Sequence, residues 1–359
     1  MNKLPKREES LDILEGKVQV PKELLMDIKM RYSKELTYSK NVFVPLTRVC
    51  RNRCGYCTFR REAIPDGNLM SKEDVRELVL RADRMGCHEA LLTFGERADD
   101  HREVRDELSN MGYDSMVEYI YDISKMINDT SGLMVHTNAG LLNGEELRML
   151  KEVNASMGLM LETSSERLMH TIAHMHSPGK DPKKRADMME AAGRLRIPFT
   201  TGILIGIGET SEEILNSMLE IRRIQDRWGH LQEIIVQNFV PKNGTPMASY
   251  KGPGLEKMRQ VISLARLMFP DMAIQLPPNL NRENVRELIG YGIDDLGGVS
   301  PISIDHVNPE SPWPMEIIGD MRLNERLPVY PRFISKEFLS ERVYKRAMGI
   351  TDGSGYVRK

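Results

Sequence analysis

The chain has 359 residues, enough for two average domains or for one α/β barrel with extensions, so length alone admits both. Its 40% hydrophobic and 28% charged content is that of a chain that buries a sizeable core, which excludes intrinsic disorder. The 50 Lys and Arg against 52 Asp and Glu leave a formal charge of -2, and without a positive field a nucleic-acid partner is disfavoured.

No apolar run is long enough to span a bilayer or to form a signal-peptide core, so a cytoplasmic location without membrane attachment is expected. The stretch from Glu8 to Leu36 reads as helices packed outside the main fold, an N-terminal helical extension over 1–40. From about residue 42 a short apolar run, a polar loop and an amphipathic helix alternate, the rhythm of βα units around a parallel sheet.

Strand-like runs begin at Val42 (VFVPL), Glu89 (EALLTF), Leu133 (LMVHT) and Ser156 (SMGLMLE). Others begin at Pro198 (PFTTGILIGI), Glu233 (EIIVQNF) and Met272 (MAIQL), with a last candidate near Gly298. Between them Ser71–Met85, Ser115–Ile127, Gly144–Val153, Pro182–Leu195, Ser211–Trp228, Leu255–Met268 and Arg282–Ile289 carry helical periodicity. The series predicts an α/β fold, a TIM-type (β/α) barrel, partial or complete, over 41–300. The Pro-rich end, 301–359, reads as an irregular C-terminal extension packed on the barrel.

In such a barrel the reactive groups sit on loops after strand C-termini. Three of the four cysteines fall there, as Cys50, Cys54 and Cys57 in the pattern C-x3-C-x2-C after the first strand. Three thiolates on one loop can each hold one iron of a cubane and leave the fourth iron open to a small molecule. The neighbouring Arg48, Arg51, Arg53, Arg60 and Arg61 are expected to lower the thiol pKa values. Read from these residues alone, a zinc site completed by a distant His or by Cys87, or cysteines with no ligand role, stay open, as does an iron–sulfur or zinc protein without catalysis.

Two further groups of residues stand out. His170, His174 and His176 have spacing compatible with metal ligands, although a hydrogen-bonded or solvated helix end explains them more simply. Late in the barrel series Asp305 and His306 are candidates for substrate contact or proton transfer, with loop capping as the plain alternative.

The cysteine string with Tyr56 before the last cysteine resembles the signature of the radical S-adenosylmethionine (SAM) superfamily. CRNRCGYCTFRR, LLTFGERAD from Leu91, HTNAGLL from His136, SPGKDP from Ser177 and DLGGVSPISIDHVNPE from Asp295 resemble its deazaflavin-forming branch. The resemblance implies a radical SAM (β/α) barrel, a 4Fe-4S cluster on Cys50, Cys54 and Cys57, and SAM as cosubstrate. It implies SAM contacts at Tyr56, Asn138 and Glu162, and at Thr93, Gly95 and Glu96, where the first glycine of the superfamily's Gly-Gly-Glu-type motif is missing. Gly202, Gly206 and Glu209 match a strand-five motif on the adenosine side, with Leu204 in place of Ile.

It further implies a lyase-type synthase that converts 5-amino-5-(4-hydroxybenzyl)-6-(D-ribitylimino)-5,6-dihydrouracil and SAM to 7,8-didemethyl-8-hydroxy-5-deazariboflavin, ammonia, methionine and 5'-deoxyadenosine. The implied partners are a CofH-type radical SAM enzyme that supplies this small molecule and an external one-electron reductant. The runner-up within the superfamily is the CofH-type 4-hydroxybenzyl transfer itself or another small-molecule radical SAM reaction.

Overall fold

The computed structural model describes residues 4–358. Its strands are Thr37–Val44 (β1), Glu89–Thr93 (β2), Met134–Asn138 (β3), Ser156–Gly158 (β4), Phe199–Ile205 (β5), Leu231–Asn238 (β6), Ala273–Gln275 (β7), Asp295–Val299 (β8) and Asn324–Glu325 (β9). All named pairings are parallel, each of the first seven strands pairs with the next, and β8 returns to β1, so the ring is a closed eight-stranded barrel.

β1 begins at Thr37, five residues before the apolar run at Val42, because its first half faces a polar layer and carries no hydrophobic signal. β9 pairs with Thr37 and Tyr38 on the edge of β1 that β2 takes over only from Asn41 onward. The barrel seam is therefore completed by a short strand from the region expected to be irregular. That region also holds a helix, Glu341–Ile350, capped by Ser340 and packed under the barrel through Val343 and Ala347. Its prolines mark only the approach to this helix, which is why composition concealed it.

The helices between the strands follow their local signals. Ser71, Ser115 and Asp181 cap Lys72–Arg84, Met116–Thr130 and Pro182–Arg194, and full capping boxes at Asn143 with Glu146 and Thr210 with Glu213 open Gly144–Lys151 and Ser211–Trp228. Gly229, in the left-handed region at φ 62°, ends the last of these. Arg102–Asn110 is a helix that the sequence reading passed over, since only Val104 and Leu108 of its nine residues are buried.

Alternate strand residues point into the ring. At its base the interior is ionic: Arg326, just after β9, donates to Asp295 of β8 at 2.7 and 2.9 Å and approaches Glu233 of β6 at 3.4 Å. Tyr330 donates to the same Glu233 at 2.6 Å, and the guanidinium lies 4.3 Å from the Tyr330 ring centre. All four side chains are buried. This plug leaves only the opposite, C-terminal end of the barrel open.

Glu89, in the same layer, is pushed up to about 7 by burial, against the pull of Arg326 and Ser39. A carboxyl raised in this way stabilises the fold fully below its unfolded pKa and loses that contribution as pH rises through about 7. Relative to wild type, Glu89→Gln is expected to gain stability between about pH 5 and about pH 8, read from urea midpoints. A difference that does not vary with pH would refute the protonated state.

Candidate active site

The cysteine loop, residues 45–69, contains no helix or strand, so its backbone must find partners elsewhere. It is joined to three neighbouring loops. Gly95 N donates to Thr47 O, Arg51 N to Glu96 O, Arg53 N to His176 O, Gly55 N to Ala173 O and Met247 N to Gly55 O, all within 2.9–3.0 Å. Close approach requires glycine at two of these points: a Cβ on Gly95 would stand 1.8 Å from Val49 O, and one on Gly55 2.2 Å from Ile172 O.

Cys50, Cys54 and Cys57 all line one cavity of about 360 Å³ that fills the open end of the barrel. The Cys50 thiol accepts from the backbone N–H of Glu96 and Asn52 at 3.3 and 3.4 Å, and the Ser177 hydroxyl donates to Cys54 at 3.3 Å. Burial pushes Cys50 up to about 11 and raises Cys54 as well.

The loop arginines are not the groups that oppose burial at Cys50 and Cys54. Arg48 and Arg60 donate to backbone carbonyls of the loop, while Arg51 pairs with Asp100 and Arg53 with Glu62. The cation that opposes burial at Cys54 is Lys180.

Lys180 and Arg185 come from the SPGKDP segment and the helix that follows it. Lys180 pairs with Glu162, and although burial alone would raise the Glu162 carboxyl, Lys180 and Arg185 hold it below its ordinary value. Arg185 pairs with Glu96 at 3.3 Å, both side chains being at most 5% exposed. Glu96 lies in a slot between two glycines, since a Cβ on Gly179 would meet its carboxylate at 1.6 Å and one on Gly140 its Cγ at 2.3 Å. One of its oxygens, Oε1, is buried without a hydrogen-bond partner, as is Thr93 Oγ1.

Thr93, Gly95, Glu96, Asn138, Glu162 and Tyr56 all line the cavity. The Tyr56 hydroxyl lies 3.0 Å from Nε2 of His174, whose pKa burial lowers to about 3, so the phenol donates to a neutral imidazole. His170, His174 and His176 do not converge, and among the described residues no three His, Cys, Asp or Glu side chains gather around a single metal ion.

Gly202, Gly206 and Glu209 are not among the lining residues. Gly202 O and Leu204 N hydrogen-bond the backbone of Glu162 at 3.0 and 2.9 Å, so the strand-five pattern positions Glu162. Gly206, at φ 100°, opens a turn that the Glu209 carboxylate closes by accepting from Gly206 N and Ile207 N.

Asp305 reaches the cavity wall, but it accepts from the backbone of Val307 and Asn308 and from the side chains of Asn279 and Asn308. The His306 ring is tilted against Phe43, 5.1 Å between centres, and is not a lining residue. Asp305 thus ties its loop together at the cavity wall, while His306 lies behind that wall. Asp305→Ala should lower unfolding stability by roughly 1–3 kcal/mol, as several donors lose their acceptor, whereas His306→Ala should leave the reaction rate within about threefold. A large rate loss in His306→Ala would restore it as a proton carrier.

The superfamily model for radical SAM proteins matches residues 44–221. The chain is 52% identical over 331 residues to the 7,8-didemethyl-8-hydroxy-5-deazariboflavin synthase of Methanocaldococcus jannaschii, covering 90% of this chain and 91% of that one. It is 57% identical over 319 residues to the synthase of the same name from Methanothermobacter thermautotrophicus, covering 87% and 96%. The chain belongs to this family of radical SAM enzymes. A solved FeFe-hydrogenase maturase HydG from Carboxydothermus hydrogenoformans shares the fold, with a TM-score of 0.70, 17% identity, and coverage of 97% of this chain and 86% of that one.

A radical SAM enzyme uses a 4Fe-4S cluster and SAM, and the donor set here fits both. Three thiols face one cavity, while Cys87, the other cysteine, is buried in the barrel wall with its S–H 3.5 Å from Asn41 O. The unpartnered Glu96 and Thr93 oxygens suit a cationic or donor-rich ligand beside them. The sequence reading missed Asn52, His174, Ser177, Lys180 and Arg185 as supports of this radical SAM site; only the string SPGKDP, noticed for its resemblance, pointed toward two of them.

Proposed function

We propose that this family member is the synthase that converts the 4-hydroxybenzyl dihydrouracil to 7,8-didemethyl-8-hydroxy-5-deazariboflavin, with release of ammonia. The observation that carries this reading is the opening of Cys50, Cys54 and Cys57 onto a single closed-bottomed cavity, in a chain at least 52% identical to the two synthases named above.

Cys50, Cys54 and Cys57 would hold the 4Fe-4S cluster, which when bound with SAM would supply one-electron cleavage of the SAM sulfonium. Glu96 and Thr93 receive the amino group of SAM, with Arg185 fixing the Glu96 carboxylate. Tyr56 is held beside them by His174, and Glu162 by Lys180. Phe43, Phe59, Leu204, Phe239 and Leu296 form apolar walls that keep water from a reactive centre. Removal of one benzylic hydrogen atom by the 5'-deoxyadenosyl group, ring closure, loss of ammonia and release of one further proton and electron, the electron passing back to the iron–sulfur group when it is bound, would take place in that enclosure. The substrate comes from a CofH-type radical SAM partner and the electron from an external reductant.

The test is anaerobic: the enzyme reconstituted with iron and sulfide is reduced and given SAM with the dihydrouracil. Formation of 5'-deoxyadenosine together with deazaflavin fluorescence is expected. Deoxyadenosine without deazaflavin would overturn the substrate, and neither product from enzyme with an intact cluster would overturn the reaction.

The glycine slot gives a second expectation. Gly179→Ala places a methyl group on the Glu96 carboxylate and should weaken SAM binding by about 10- to 100-fold in equilibrium dialysis. Unchanged SAM affinity would remove Glu96 from the binding site.

A further inference from the structure

The cavity has two unlike halves. Thr93, Asn138 and Glu162 come from the ends of β2, β3 and the segment after β4, on the side of the cysteine loop, whereas β6 and β7 present two glutamines, Gln237 and Gln275. Gln232, at the base of β6, is bonded to Thr200, Pro328 and Tyr330. Gln237 and Gln275 have no such bonds among the described residues, and both are only half-buried. A polar amide in a largely apolar enclosure, with no protein partner, is left for water or a ligand.

Their placement is set by register. Ile235 of β6 pairs with Gln275 of β7, and residues two apart on a strand share a face, so Gln237 stands one layer above and diagonal to Gln275 on the same inner wall. Space for the second amide is made by a glycine. A Cβ on Gly297 of β8 would lie 2.3 Å from Nε2 of Gln275, so the amide lies across a part of β8 that no side chain occupies. Gly297 itself has φ 73°, a conformation that favours glycine.

We propose that Gln237 and Gln275 recognise the pyrimidine ring of the substrate through its N3–H and C2 carbonyl, an inference that rests on the synthase reading above. A primary amide carries a donor and an acceptor side by side, the complement of an adjacent N–H and C=O on a lactam ring. In the dihydrouracil these groups lie on the far side of the ring from C5, the carbon that bears the benzyl group. Held at β6 and β7 by that edge, the ring directs its benzylic carbon toward the half of the cavity that contains the cysteines. The glutamines thus select a pyrimidine over other apolar or phenolic molecules and orient it for reaction.

Binding to the reconstituted, unreduced enzyme tests this by equilibrium dialysis with the dihydrouracil and its N3-methyl derivative. Wild type is expected to bind the methylated ring at least about tenfold more weakly, and Gln275→Leu and Gln237→Leu to lose about tenfold or more for the parent ring. The penalty for methylation should shrink in the leucine variant of whichever glutamine reads N3–H. Gln275→Glu, which keeps the shape but removes the donor, should show the same loss and separates recognition from misfolding. If wild type does not bind the dihydrouracil, the synthase reading and this inference fall together. If it binds the ring while neither methylation nor the substitutions weaken binding by more than about twofold, this inference alone is overturned.

Discussion

Cys54→Ala is expected to reduce 5'-deoxyadenosine formation to the uncatalysed background and to lower bound iron after reconstitution. Cys54 is half-buried in the middle of the triad, with the Ser177 hydroxyl on its sulfur and Lys180 as the strongest pull toward the thiolate. No other thiol can replace it, because Cys87 sits in the wall of β1 and β2 with its S–H directed at Asn41 O. The fold should persist, since the loop is held by backbone bonds that do not involve the thiol. Cys87→Ala is the contrast: it should lower stability by about 1–2 kcal/mol through lost core packing while cluster loading stays intact. Normal iron content in Cys54→Ala, or cluster loss in Cys87→Ala, would overturn the ligand assignment.

Arg326→Leu should have the largest effect on stability, about 3–5 kcal/mol, because it leaves Asp295 and Glu233 buried without their shared cation. The argument concerns the broken pair, not the worth of the intact one, since desolvation offsets much of the attraction of a buried ion pair. Adding Asp295→Asn and Glu233→Gln to the leucine variant should therefore recover part of the loss. Thermal and urea unfolding measure both quantities; a loss below about 1 kcal/mol would mean that water enters the base of the barrel and screens the carboxylates.

Much of the barrel is legible in the sequence because its outward strand faces and helix stripes are apolar and periodic, and the helix at Ser211–Trp228 coincides with its predicted limits. The start of β1 and the pairing of β9 are not legible, for an interior layer built from Ser39, Glu89, Glu233, Asp295 and Arg326 looks like a solvated loop until the ring closes around it. At the site, the spacing of three cysteines points to a cluster, and the structure brings them to one cavity with Glu96 and Glu162. Lys180 and Arg185 were hidden because charged residues beside a proline and at a helix start usually face water. Only the meeting of that segment with the loops after β1 and β2 turns them inward.

The pairing of β1 with β9 also fixes an order of events during synthesis. Glu35, just before β1, and Asn324, the first residue of β9, are joined by a hydrogen bond although 289 residues separate them. While the ribosome is still making the middle of the protein, β1 has only β2 to pair with: its other edge waits for β8, and the Thr37–Tyr38 end of the β2 edge waits for β9. Translation must pass Arg326 before the last edge is covered and the buried carboxylates receive their cation. Nascent chains paused before β8 would be open half-barrels, prone to pair through the bare edge, so chaperone capture should fall once residues 295–299 have emerged and again once 324–330 cover the last of β1 and supply Arg326.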